Sequence, residues 1–156
     1  MEIRQLKHQQ DLRNRPRLKQ NHMQFEKFIE ELNARKLPDQ TVEIIDKHIE
    51  DLNASLLSGN AFNRLLIKKR KRIIKLLENK HKLVPKHYYR NRWMVVGICT
   101  FGIPIGVAFG ASMGNMGFMT TGLPFGMVLG LAIGLGLDKK ALKQGRQLNI
   151  ELKNEL

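Results

Sequence analysis

The sequence lacks the features of several common classes of protein. Its single cysteine, Cys99, excludes an intrachain disulfide. No stretch alternates polar and apolar residues in the manner of a strand, so we expect an all-α fold. Residues 93–137 contain no charged side chain, and this run is about twice the ~20 apolar residues that cross a bilayer. We therefore predict two membrane crossings, at roughly 94–113 and 119–137, joined by a short turn.

The sequence also lacks the motifs of common active sites. Its five histidines have no metal-ligand spacing, and no phosphate-binding GxxxxGK[ST] is present. Asp138, at the end of the second crossing, is interpreted as a boundary residue rather than a proton carrier. The first residues are charged and no early apolar core follows them, so no signal peptide is expected. We expect no enzyme, no cofactor and no metal site.

The uncharged run contains one motif twice, GxPxGxxxGxxxG, with the second copy twenty residues after the first. Residues four apart lie about one helical turn on, so each copy makes a nearly flat glycine strip where backbones can approach closely. The prolines, Pro104 and Pro124, are predicted hinges that bend each helix or unwind a turn. The predicted helix-packing residues are Gly102, Gly106, Gly110, Gly114, Gly122, Gly126, Gly130 and Gly134.

The alternative for this run is a buried helical hairpin in a soluble protein. Soluble helices seldom tolerate so many glycines, because each costs ~1 kcal/mol relative to alanine. The membrane hairpin is therefore the interpretation that we adopt.

All the charges lie outside the run, and the segments share them unequally. Residues 1–20 carry a net charge of +4 and are read as a basic arm, either solvated or ordered by an anionic partner or another subunit. Residues 21–58 carry a net charge of −4, and residues 62–92 carry twelve bases against one acid. We expect residues 21–92 to form a small cytoplasmic helical domain and residues 138–156 a cytoplasmic tail or helix.

Apolar residues at helical spacing predict three helices in this domain. Leu37-Pro38-Asp39 separates the first two, with Asp39 or Thr41 as a cap, and Gly59 is expected to end the second. Pro85 is expected to end the third. The predicted stripes are Phe25, Phe28, Ile29 and Leu32; Ile45, Ile49, Leu52 and Leu56; and Phe62, Leu66, Ile73 and Leu77.

Three uses compete for the basic residues of the third helix. Juxtamembrane cations attract anionic lipid, at ~1 kcal/mol each. The strip could also neutralise the acidic helices of its own or a neighbouring chain, or bind a soluble polyanion such as a nucleotide or oligonucleotide. The candidate ligand-binding residues are Lys68, Lys69, Arg70, Lys71, Arg72, Lys75, Arg13, Arg15 and Arg17.

The flanks of the uncharged run predict its orientation. Both are basic, while the turn between the crossings has no charge, so the positive-inside rule puts both termini in the cytoplasm and the turn outside. We expect the hairpin to lie in the inner membrane. Tyr88, Tyr89 and Trp93 occupy the place of an interfacial aromatic belt. One glycine strip can pack the hairpin on itself, and its outer surface or the second strip would then favour self-association into a ring, with hydroxyl groups such as Thr100 and Ser112 facing a pore.

The double GxPxGxxxGxxxG run resembles small glycine-zipper membrane-hairpin proteins. The wider layout, a basic helical domain before a membrane hairpin, is similar to membrane channel effectors of bacterial anti-phage defence, including the Hailong type. That resemblance implies a homo-oligomeric channel held shut by oligonucleotides that bind the basic cluster at 68–72 and the basic arm. From the paired glycine strips and the basic residues 62–92, we predict an oligomeric membrane channel or pore that is controlled by its basic cytoplasmic helices. The alternative is a non-conducting membrane scaffold that recruits a partner through residues 1–60.

Overall fold

The computed structural model describes residues 2–6 and 15–152, and the protein is mostly helical. Its helices and strands are α1 (Pro16–Asn33), α2 (Asp39–Asn53), α3 (Gly59–His81), β1 (Val84–Lys86), α4 (Tyr88–Gly97), α5 (Ile103–Ser112), α6 (Gly122–Lys143) and β2 (Gln147–Glu151). A π-helical turn, Ile98–Gly102, joins α4 to α5, and a 3-10 turn, Met116–Thr121, precedes α6. The described residues divide into two units: unit 1 comprises 2–6, 15–83 and 148–152, and unit 2 comprises 84–147.

Unit 1 is built on α1, α2 and α3, each of which buries one apolar face. The residues at helical spacing lie where the pattern predicts: Phe25, Ile45, Ile49, Leu66 and Ile73 have no exposed surface. Because each helix has only one apolar stripe, three helices are needed to close the core.

Residues 2–6 pack on this core, which differs from the solvated arm considered above. Ile3 is buried, and its N–H donates to Asn33 Oδ1 at 2.8 Å. The Arg4 N–H donates to Asp46 Oδ1 at 2.8 Å, and its guanidinium pairs with the Glu50 carboxylate. Pro16 starts α1 rather than interrupting it, since the first turn of a helix needs no N–H there.

Three predicted helix boundaries in unit 1 are wrong. α2 ends at Asn53, so Leu56 lies beyond the helix and is fully exposed. Gly59 does not stop α2; it begins α3 with a φ of +58°. The N-cap position of α2 is Pro38 rather than Asp39 or Thr41, and the Thr41 hydroxyl bonds the ring of His81 at 2.8 Å. α3 ends at His81, four residues before Pro85.

The segment after α6 corrects the all-α expectation. α6 ends at Lys143, and Gly145 then adopts a φ of +67°, where a glycine is favoured. The following residues form β2, which pairs with β1 in a two-stranded sheet. Residues 147–152 do alternate, with Leu148 and Leu152 buried, but an alternation of only six residues is too short to predict a strand. In the described part of the predicted tail, residues 138–143 are helical and residues 147–151 form a strand.

Unit 2 contains two continuous helices, Tyr88–Ser112 of 25 residues and Met116–Lys143 of 28 residues, both long and apolar enough to cross a membrane. At ~1.5 Å per residue each exceeds the ~30 Å of a hydrocarbon core. The turn between them contains Gly114, whose φ is +62°, and the Asn115 side chain, which accepts from the Gly117 N–H at 2.9 Å.

Each repeat proline follows a local change of helix type. The π-helical turn lies before Pro104, where the Ile103 N–H bonds the Ile98 carbonyl five residues back. The 3-10 turn lies before Pro124. A proline cannot donate to the carbonyl four residues earlier and its ring crowds that group, so a locally wider or tighter turn accommodates it.

Candidate functional sites: a glycine-faced hairpin and a basic helix face

The second glycine strip lies directly against the backbone of the first long helix. A Cβ added to Gly134 would lie 2.6 Å from the Arg90 Cα, and one added to Gly130 would lie 2.9 Å from the Trp93 carbonyl carbon. One added to Gly126 would lie 2.6 Å from the Gly102 Cα. Real Cβ contacts are not so short, so only glycine permits this approach.

The first glycine strip likewise lies against the second long helix. A Cβ on Gly102 would lie 3.3 Å from the Leu123 Cα, and one on Gly106 would meet the Met119 carbonyl. Gly110 is looser, with the Met116 sulfur 3.4 Å away. Seven of the eight predicted packing glycines therefore lie on the helix–helix contact, along Gly102, Gly106, Gly110, Gly122, Gly126, Gly130 and Gly134.

Gly114 and Gly97 depart from the predicted strip. α5 ends at Ser112, so Gly114 lies in the turn and nothing lies within 4 Å of the Cβ it would carry. Gly97 does belong to the contact, because a Cβ there would lie 2.7 Å from the Gly130 Cα. It is five residues before Gly102, so the fourfold spacing missed it, but the π-helical turn between them contains the extra residue.

The outer surface of the hairpin is apolar. Its large side chains point away from the glycine contact, and the exposed ones include Phe101, Val107, Phe109, Phe125, Val128 and Leu135. Polar groups on this surface bond their own helix: the Ser112 hydroxyl donates to the Ala108 carbonyl at 2.7 Å, and the Thr121 hydroxyl to the Phe118 carbonyl at 2.6 Å. This arrangement suits contact with hydrocarbon, where each polar group needs an internal partner.

Asp138 joins the two long helices at the end of the hairpin opposite the turn, a role that the sequence did not suggest. Its carboxylate is 6% exposed and accepts the Tyr89 N–H at 3.1 Å and the Arg90 N–H at 2.9 Å. These are first-turn N–H groups of α4, which have no partner within their own helix. A carboxylate on α6 therefore caps α4, where negative charge is favoured.

In unit 1, the basic cluster of α3 divides between two faces of the helix. Lys69 and Arg70 are buried: the Lys69 ammonium pairs with the Asp51 carboxylate, and Arg70 Nη1 donates to Gln24 Oε1 at 3.3 Å. These two predicted ligand-binding residues thus belong to the core side, because at 100° per residue they fall with the buried apolar positions.

The other cations of the cluster line an open groove on the opposite side of α3. This α3 groove has a volume of about 430 Å³ and contains no acidic residue. Its lining is Arg64, Ile67, Lys68, Lys71, Arg72 and Lys75. Arg64 was not among the predicted site residues, although its position one turn before Lys68 on the same face could have identified it.

A second groove adjoins the first, since Arg64 lines both. This α1–α3 groove has a volume of about 420 Å³ and is lined by Arg15, Pro16, Arg17, Leu18, Asn60, Asn63 and Arg64. Two residues of the predicted basic arm, Arg15 and Arg17, are therefore near the third helix, and the Arg15 guanidinium lies against Gly59. Arg13 falls outside the described residues.

Positive charge from α3 also acts on α2. Burial, followed by the charge of Lys69, lowers the pKa of His48, and Arg72 adds to the effect. The Lys69 hydrogen bond lowers the pKa of the Asp51 carboxyl. His48 Nδ1 is buried and has no hydrogen-bond partner among the described residues.

Within residues 2–6 and 15–152, no group of three or more His, Cys, Asp or Glu side chains is placed to hold a metal ion. Comparisons with family models, curated proteins and solved structures gave no match. The functional interpretation therefore depends on the geometry of this chain alone.

Proposed function

We propose that the protein is a two-crossing integral membrane protein that anchors a basic helical domain, which binds a phosphate-bearing anion. The observation that carries this proposal is the glycine contact: both strips pack on each other and leave an apolar outer surface. A soluble protein would not gain stability from such a surface, whereas lipid solvates it.

The charge distribution supports the orientation expected from the sequence. The basic residues Arg90 and Arg92 precede the apolar part of the first helix, and Lys139, Lys140 and Lys143 end the second. The turn residues 113–117 have no charge. By the positive-inside rule, both ends of the hairpin and the basic domain lie in the cytoplasm.

The two grooves of unit 1 support the anion-binding part of the proposal. Lys68, Arg72 and Lys75 lie on the face of α3 opposite its buried residues, so their charged groups face solvent rather than the core. An arginine or lysine facing solvent binds phosphate by charge-assisted hydrogen bonds. Lys69 and Arg70 are excluded from this role, because they act inside unit 1.

This proposal favours the scaffold over the channel expected from the sequence. Ring assembly was predicted through a second glycine strip or through the outer surface of the hairpin, and the hairpin uses both strips. A ring would have to form through the apolar outer surface instead. Oligomerisation, gating by an oligonucleotide and a role in anti-phage defence stay predictions.

The test is dye efflux from liposomes that contain the purified protein, with and without short single-stranded oligonucleotides. Resistance to carbonate extraction establishes insertion. We expect no efflux in either condition. Efflux that the oligonucleotide changes would replace the scaffold with a ligand-controlled channel.

Anion binding is tested separately, with the full protein in neutral detergent micelles and inorganic polyphosphate as the probe. The double variant Lys68→Glu/Arg72→Glu should weaken binding strongly. Lys27→Glu/Lys36→Glu, which changes two exposed lysines by the same total charge, is the matched control. Equal loss in both variants would mean that net charge, not the α3 groove, binds the anion.

A further inference from the structure

The loop between α2 and α3 exposes two leucines side by side. Leu56 is fully exposed and Leu57 is 46% exposed, and the loop backbone turns so that the Leu57 N–H bonds the Ser55 hydroxyl at 3.2 Å. Among the described residues of unit 1, Met23 is the other large apolar side chain with this degree of exposure. A leucine pair held in water gains nothing from unit 1 itself, which favours an external partner.

The leucine pair lies at one end of the basic grooves. Leu57 is two residues from Gly59, so their Cα atoms are within ~7 Å, and the Arg15 guanidinium covers Gly59. From there the grooves continue along α3 from Asn60 to Lys75, a length of about 22 Å at the helical rise. The leucine pair thus lies within a few residues of the point where the cationic grooves begin.

The composition of this surface favours one partner. Proteins that bind single-stranded nucleic acid stack bases on aromatic side chains, and no aromatic residue lines either groove. An anionic bilayer offers both of the chemistries required: phosphate headgroups for the cations and hydrocarbon for the leucines. Ile67, which is half-buried in the lining of the α3 groove, also tolerates lipid.

We propose that Leu56 and Leu57, with the two basic grooves, form a second membrane-contact surface that inserts the leucines into an anionic bilayer and binds its phosphate headgroups. This inference rests on the proposed function, because it names the ligand of the same grooves. It adds the leucine loop, which anion binding alone does not need.

The experiment places a bimane fluorophore at Leu56→Cys, in a Cys99→Ala background, and uses acyl-chain-brominated lipids to quench it. The full protein is held in nanodiscs of phosphatidylcholine, alone or mixed with phosphatidylserine, and vesicles of the same two compositions are added separately. We expect quenching with phosphatidylserine, from the nanodisc or from the vesicles, and none with phosphatidylcholine. The control label at Gln40→Cys, exposed at the start of α2, should not be quenched.

Two variants separate this inference from the proposed function. Leu56→Ser/Leu57→Ser should weaken binding to phosphatidylserine vesicles at least about tenfold while binding of polyphosphate is unchanged. If this double variant binds phosphatidylserine vesicles as tightly as the wild type does, the leucine insertion is overturned. The same holds if the label at Leu56→Cys is never quenched. Either result would leave the anion-binding proposal intact. Lys68→Glu/Arg72→Glu should abolish both activities, and polyphosphate binding that survives it would contradict the proposed function itself.

The last part of the experiment measures how tightly a short single-stranded oligonucleotide binds the protein in phosphatidylcholine nanodiscs. If it bound the grooves more tightly than phosphatidylserine vesicles do, the ligand would be a soluble polyanion. That result would overturn the lipid assignment.

Discussion

Replacing Gly126 with leucine tests the hairpin contact at a point where the backbones of the two helices lie close together. A Cβ there would lie 2.6 Å from both the Gly102 Cα and the Gly97 carbonyl oxygen, and all of these atoms are backbone. Carbon atoms pack favourably at about 3.5–4.0 Å, so the helices must separate by roughly 1 Å for the Cβ alone. The rest of the leucine side chain would force them farther apart. Overpacking of this kind costs about 1–3 kcal/mol or more, and the neighbouring dispersion contacts are also lost.

Gly136→Leu is the matched control, because it makes the same change on the same helix. Gly136 is exposed, and nothing lies within 4 Å of the Cβ it would carry. The assay is a titration with sodium dodecyl sulfate in mixed micelles, followed by the fluorescence of Trp93, the single tryptophan of the chain. Trp93 suits this purpose because its backbone contacts Gly130.

We expect the midpoint of the Gly126→Leu titration to fall well below that of Gly136→Leu, which should match the wild type. Equal midpoints for the two variants would refute the glycine contact. A fall in both would indicate that leucine disturbs α6 wherever it is placed.

Three further predictions concern single side chains. Asp138→Ala should destabilise the hairpin by about 1–3 kcal/mol in the same titration, since two N–H groups of α4 lose their acceptor, and Asp138→Asn, which keeps one oxygen, should lose less. Lys69→Ala should lower the thermal stability of the protein and Lys68→Ala should not, because Lys69 is buried against Asp51 whereas Lys68 is exposed; equal melting temperatures in circular dichroism would contradict the division of the cluster. Burial and Lys69 lower the pKa of His48, so the unfolded chain binds this proton more readily than the folded chain. Stability should therefore be full above the ordinary histidine pKa of 6.5 and fall as the pH drops below it, and urea titrations should show a smaller fall for His48→Gln.

The glycine positions show how far a repeat in the sequence predicts a contact. The fourfold spacing placed Gly102 and Gly126 on a contact face, because helical geometry alone puts such residues in line. The spacing could not add Gly97 to this face, because the alignment of Gly97 depends on a π-helical turn. It also could not exclude Gly114, which lies in the turn because α5 ends at Ser112.

The basic residues show a different limit. Composition identified α3 as cationic, but it treated residues 68–72 as one cluster. The helical register with Leu66 and Ile73 already puts Lys69 on the buried face, and tertiary structure decides that its partner there is Asp51 while Lys68 faces the groove. The neighbourhood of Arg15 and Arg64 likewise joins residues far apart in the chain.

The sequence by itself determined the helices, their apolar stripes and the two long uncharged segments, because periodicity and length are local properties that a linear pattern carries. Tertiary structure decided the rest. It turned the two glycine strips onto each other, placed Asp138 on the first turn of α4 and left Leu56 outside the core. Each of these depends on where distant backbone atoms come together, and local periodicity contains no information about that.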